Sequence, residues 1–144
     1  MTAAIPDLWP DDLIGEPTRT PVAILRRQAQ ALGGKTHNFV TGDVESRVTG
    51  GGQQFEHTFV LSAPLLGYHV PLLRVTHGIH SFPSTVAESD LIKVARNADK
   101  FWSRRTEKES ELLDALKEFF AVEQVKNVIQ SLINQSSAIE PGDN

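Results

Sequence analysis

Four of the five histidines in this chain fall between residues 57 and 80: His57, His69, His77 and His80. Imidazole nitrogens suit zinc and related divalent ions, so a gathering of three would build a metal site. The spacing works against it. Positions three apart on a strand, such as His77 and His80, point to opposite faces and converge only if the chain turns at Gly78. No carboxylate stands between Glu56 and Glu88 to complete a ligand set. The pattern favours ordinary sheet histidines, and no cofactor is expected.

Histidine beside serine raises acyl-transfer chemistry instead. Ser62, Ser81 and Ser84 lie in the same stretch, but no Gly-x-Ser-x-Gly elbow is present. A catalytic triad is defined by geometry and not by spacing, so the sequence names no catalytic residue. Asp11-Asp12 sits among prolines, where solvation or capping outweighs acid–base work. Gly50-Gly51-Gly52 lacks the Lys-Ser/Thr of a phosphate-binding loop, and a hairpin turn accounts for it. Asn134-Gln135-Ser136 fits the glycosylation sequon, but without a signal peptide the match has no meaning.

A charge feature carries more information. Residues 93 to 108 hold Lys93, Arg96, Lys100, Arg104, Arg105 and Lys108 against Asp99 and Glu107, and from Glu109 onward acids dominate. Lys100-Phe101-Trp102-Ser103-Arg104-Arg105 mixes cations with aromatics, the composition that grips phosphates and stacks bases. The plainer reading makes Phe101 and Trp102 core and the cations a solvated face. The whole chain carries a formal charge of −4 and a pI near 5.7, which disfavours a bulk nucleic-acid binder. An acidic protein surface suits the island equally well.

The elements that must position these residues follow from periodicity. Residues 1–19 form a proline-rich arm with Pro6, Pro10 and Pro17, too interrupted for a continuous helix. Its apolar residues, Trp9 above all, suggest that it lies along the domain or is displayed as a partner-binding arm. Thr20-Pro21 then opens a helix, with Val22, Leu25, Ala29 and Leu32 on one stripe and Gly33-Gly34 as its stop. From Thr36 the period becomes two. Val40, Val44 and Val48 share one face of a first strand. Phe55, His57, Phe59 and Leu61 share a face of the second, and residues 68–76 make a third, with Pro71 expected at a sheet edge or bulge. A fourth strand is predicted near residues 79–86.

Residues 89–102 read as an amphipathic helix. Leu91, Ala95, Ala98 and Trp102 lie on one side and Lys93, Arg96, Lys100 and Arg104 on the other, although Leu91-Ile92-Lys93-Val94 alone would also suit a strand. Thr106-x-x-Glu109 matches a capping box, and apolar spacing then continues helically to Ile133, with a break near Ala121 left open. Residues 136–144 read as a flexible tail.

The expected architecture is therefore α+β: an N-terminal helix, a four-stranded antiparallel β-meander, and two to three C-terminal helices on one face of the sheet. A single domain spans 20–135, within the common size range. The 144 residues include no cysteine, which excludes disulfides, a thiolate nucleophile and Cys-ligated metal. The N-terminus has neither basic region nor apolar core, so a cytoplasmic location and no membrane partner are expected. The leading functional expectation is a non-catalytic accessory protein of inhibitor, immunity or chaperone type, binding another protein or a second copy of itself. The alternatives are a nucleic-acid-associated factor using residues 93–108, and a histidine-based metal site or hydrolase.

Overall fold

The computed structural model describes residues 4–15 and 19–139. Helix α1 (Pro21–Lys35) is followed by strands β1 (Thr41–Thr49), β2 (Gln54–Ala63), β3 (Tyr68–His77) and β4 (Ser84–Glu88). A short helix α2 (Asp90–Ala95), strand β5 (Ser103–Thr106) and helices α3 (Glu109–Phe120) and α4 (Glu123–Ile139) complete it. The sheet is an antiparallel meander in the order β1-β2-β3-β4-β5, with five strands where four were expected. No helix among the described residues is long and apolar enough to cross a membrane.

The first hairpin fixes the register. Gly50, Gly51 and Gly52 all have positive φ (62°, 67° and 92°), a region that side chains with a Cβ enter at a cost. This turn pairs Thr49 with Gln54 and, counting back, Val44 with Phe59 and Ser46 with His57. Between β2 and β3, Phe59 pairs with Leu73 but Val60 pairs with Pro71, leaving Leu72 as the extra residue of a bulge. Pro71 thus sits where its missing amide is tolerated, as the sequence required.

Period-two alternation gives the sheet two unlike faces. Phe59, Val75 and Val86 point inward and are buried under α1, α3 and α4 along with Leu25, Leu112 and Phe119. The opposite face carries charged and hydroxyl side chains. There Glu56 bonds to Arg47 and to Arg74, and those bonds, Arg47's first, hold its carboxyl below the usual range against the opposing effect of burial.

Helix α1 lies close on β1 at Gly42. A Cβ there would stand 2.6 Å from the Phe59 ring and 2.8 Å from the Ala29 Cα, so only glycine permits this approach. Gly42→Ala is expected to cost about 1–3 kcal/mol by overpacking, seen as a lower midpoint in urea with an unchanged slope.

Several local expectations are corrected. Helix α1 does not stop at Gly33-Gly34; it runs to Lys35 and caps at Thr36, after which His37 and Asn38 take the positive φ that glycine was expected to supply. The amphipathic helix over 89–102 is only the six residues of α2, and its second half becomes the approach to β5. Thr106 is not an N-cap. It lies buried in β5, with its hydroxyl 2.5 Å from the Ser84 Oγ, and α3 begins without a side-chain cap. The fourth strand starts at Ser84, later than expected, and Ile79 is exposed. A break does occur at Ala121, and α4 then continues to Ile139 with Ser136 buried, past the boundary expected at 135. Residues 140–144 of the expected tail, and 1–3 and 16–18 of the arm, lie outside the described residues.

Candidate functional site

The basic segment does not present one cationic face, because the helix that would align it ends at Ala95. The cause is a buried acid. The Glu88 side chain has no exposed surface and accepts bonds from Arg96 Nε (2.8 Å), Arg96 Nη2 (2.6 Å) and the Trp102 amide (2.8 Å). Those bonds draw Arg96 inward and pull Trp102 alongside β4, and Asn97 with φ 53° makes the turn between them. Burial alone would raise the Glu88 carboxyl; the Arg96 bonds, the Trp102 amide and the nearby Arg96 and Lys93 charges outweigh it and hold it low.

Two of the other cations are also paired. Arg104 reaches Glu118 at 3.0 Å and lies 4.9 Å over the Trp102 ring, while Arg105 bonds Glu107 at 2.7 Å. Lys93 sits 4.9 Å above the half-exposed Phe101 ring, and Lys100 is exposed. Trp102 is half-buried against Phe119. Of the two aromatics, then, Trp102 belongs with the core and Phe101 faces outward.

The histidines divide in the same fashion. His57 on β2 and His77 on β3 share the inner face and meet Nε2 to Nε2 at 2.9 Å. Their ring centroids are 5.0 Å apart, little less than the N···N distance plus two ring radii, so the rings meet edge to edge in a direct hydrogen bond. His77 also stacks on Phe55. His69 lies on the other face, 3.5 Å from Glu45, and His80 contributes only its backbone carbonyl, 3.0 Å from His77 Nδ1. The turn at Gly78 therefore does bring His80 back to His77, but by its main chain. No group of three or more His, Cys, Asp or Glu side chains placed to hold a metal occurs among the described residues. The four histidines do not gather as a metal site requires.

Ser46 joins the histidine pair from β1, its Oγ 2.7 Å from His57 Nδ1. Sequence reasoning singled out Ser62, Ser81 and Ser84 and missed it. Ser84 is buried and committed to Thr106. The signal for Ser46 was present: it is the polar residue between Val44 and Val48 on an inward face, directly across the glycine hairpin from His57. Burial first, then the adjacent His77 and Arg26 charges, depress the His57 pKa below that of an ordinary imidazole.

Comparison with known protein families, curated proteins and solved structures finds no match.

The N-terminal arm is displayed. Ile5, Leu8, Trp9, Leu13 and Ile14 are 63–93% exposed, and the hydrogen bond found in this segment, from the Trp9 amide to Asp7 Oδ1 at 3.0 Å, is internal. Of the two sequence expectations for the arm, a strip laid along the domain or an exposed arm, the described residues match the second. Trp9 and Trp102, both singled out from the sequence, are thus in opposite situations.

Proposed function

We propose that this chain is an accessory protein that binds another protein through its N-terminal arm. The observation that carries the reading is the exposure of five large apolar side chains within ten residues. Single exposed hydrophobics are ordinary, but a contiguous group marks an interaction surface. Tryptophan is among the residues that most often dominate binding energy. The arm also defines its partner's chemistry. Asp7, Asp11 and Asp12 flank the apolar residues, and the sequence has no lysine or arginine before Arg19. The complementary surface is an apolar groove rimmed by basic groups on a different protein.

The occupied basic segment supports this over the nucleic-acid reading. Arg96, Arg104 and Arg105 each spend their charge on a carboxylate of this same chain, and on the outward face of the sheet Arg47 and Arg74 share Glu56. Three of the six cations of residues 93–108 are thus engaged, which leaves fewer to displace counterions from a phosphate backbone.

The test places a photo-crosslinking amino acid at Trp9, and separately at Leu13, in the full chain inside its native cell. One protein captured from both positions is then purified and titrated against the unmodified chain. Trp9→Ala is expected to weaken that complex about thirtyfold or more, as loss of a hot-spot aromatic does. Added salt should weaken it further through the three aspartates. Binding that is indifferent to Trp9→Ala, or a dimer of this chain that dissolves on Trp9→Ala, overturns the proposal.

A further inference from the structure

The hydrogen bonds around the histidine pair have a direction, and the main chain sets it. His77 Nδ1 faces two acceptors, the carbonyls of Gly78 at 2.7 Å and His80 at 3.0 Å. A ring nitrogen between carbonyls must carry the proton, so in the neutral ring His77 Nε2 is the acceptor. The His57 Nε2 that meets it is therefore the donor, and His57 Nδ1 is left with its lone pair. That lone pair faces Ser46 Oγ, which must donate its own proton to it. An exposed serine hydroxyl would otherwise exchange partners freely with water. Here, while His77 is neutral, it is aimed at an imidazole whose tautomer is fixed two hydrogen bonds away.

We propose that Ser46 is an acyl-transfer nucleophile, with His57 as its general base and His77 as the positioning residue that sets the His57 tautomer. Three observations support those roles. Ser46 is exposed on the edge strand while His57 is only 6% exposed, so the nucleophile is accessible and the base is shielded. The depressed pKa of His57 keeps it neutral, the form a base requires. Val44 and Val48 flank Ser46 on the same face and set apolar side chains on either side of its hydroxyl. The fitting substrate is a small ester with a short apolar acyl chain that can lie against those valines.

The step balances without a cofactor. Ser46 Oγ bonds to the carbonyl carbon as its proton passes to His57 Nδ1, and the C=O electron pair moves onto oxygen. Collapse breaks the ester C–O bond, and the leaving alkoxide takes the proton back from His57 Nδ1. Water then repeats the sequence on the acyl-serine, releasing the acid and restoring the Ser46 hydroxyl. His57 Nε2–H stays hydrogen-bonded to His77 throughout.

The test uses the purified full chain with a fluorophosphonate probe and 4-nitrophenyl butyrate. Modification is expected at Ser46, located by tandem mass spectrometry, and both modification and esterase activity should be lost in Ser46→Ala. His77→Phe keeps an aromatic ring against Phe55 but removes the acceptor. It should slow labelling about tenfold or more and shift its pH profile, with an unchanged circular dichroism spectrum. Because the chain lacks cysteine, Ser46→Cys introduces a single thiol. Its alkylation should titrate below the ordinary thiol pKa of about 8.5, since an adjacent imidazole stabilises thiolate. A Ser46 that stays unlabelled overturns the proposal, and so does a thiol that titrates at the ordinary value.

Discussion

Arg96→Ala is expected to destabilise the fold by about 3–5 kcal/mol, because it strips a fully buried carboxylate of its bidentate partner. The Trp102 amide alone would remain to satisfy Glu88, whose side chain has no exposed surface in the intact fold. The measurement is urea unfolding at neutral pH. Glu88→Gln should cost less, since the neutral amide needs no counter-charge, although it strands the Arg96 guanidinium in a half-buried place. That ordering separates a buried ion pair from a surface one, whose loss would cost at most about 1 kcal/mol either way.

The same site has a defined pH dependence. The Glu88 carboxyl is held below its ordinary value in the folded chain, so the unfolded chain binds the proton more readily. Stability from this group is present above the unfolded value, near 4.5, and is lost as pH falls through the lower folded value. Acid unfolding of the parent should therefore show this loss, and Glu88→Gln should show less of it. If the two chains lose stability in parallel below pH 4.5, Glu88 is not the responsible group.

What could be read from the sequence, and what could not, divides along a physical line. The first hairpin was legible because local chemistry determines it: three glycines turn the chain, and alternation on each side places Val44, Phe59 and His57 inward. From that register the meeting of Ser46 and His57 was available by counting. Strand β5 was not legible. Trp102, Arg104 and Thr106 alternate as a strand requires, yet Trp102 also falls on one side of a helical wheel with Leu91 and Ala95, and Arg104 on the other. The choice between them is made by Glu88, a residue fourteen positions before Trp102 whose burial no local pattern reveals. Thr106 repeats the lesson. Its spacing to Glu109 fits a cap, but its hydroxyl is taken by Ser84 across the sheet, and Glu111 reaches back to the Glu107 amide instead. The display of the arm, by contrast, depends on what the domain surface offers it, which composition does not encode.

Phe119→Ala should produce a second loss of about 3–5 kcal/mol, by opening a cavity where β5, β2 and α3 join. Phe119 has no exposed surface and lies 5.2 Å from the Trp102 ring and 6.1 Å from Phe120, whose own ring reaches Phe59 6.0 Å away. Removing it unseats Trp102, whose fluorescence should shift to the red, while the exposed Trp9 contributes an unchanged background that Trp9→Phe subtracts. Phe101→Ala, three residues from Arg104 but half exposed, supplies the contrast and should cost far less. A loss below about 1 kcal/mol for Phe119→Ala would mean that α3 does not seal the sheet at this end. The two large effects also share a residue. Glu88 holds Trp102 by its amide and Phe119 holds it by its ring, so each substitution loosens what the other supports. In a double-mutant cycle, Arg96→Ala and Phe119→Ala should therefore fall short of additivity by about 0.5 kcal/mol or more. Strict additivity would show that Trp102 is anchored from one side only, and that the turn converting the basic segment into a strand does not depend on the core beneath it.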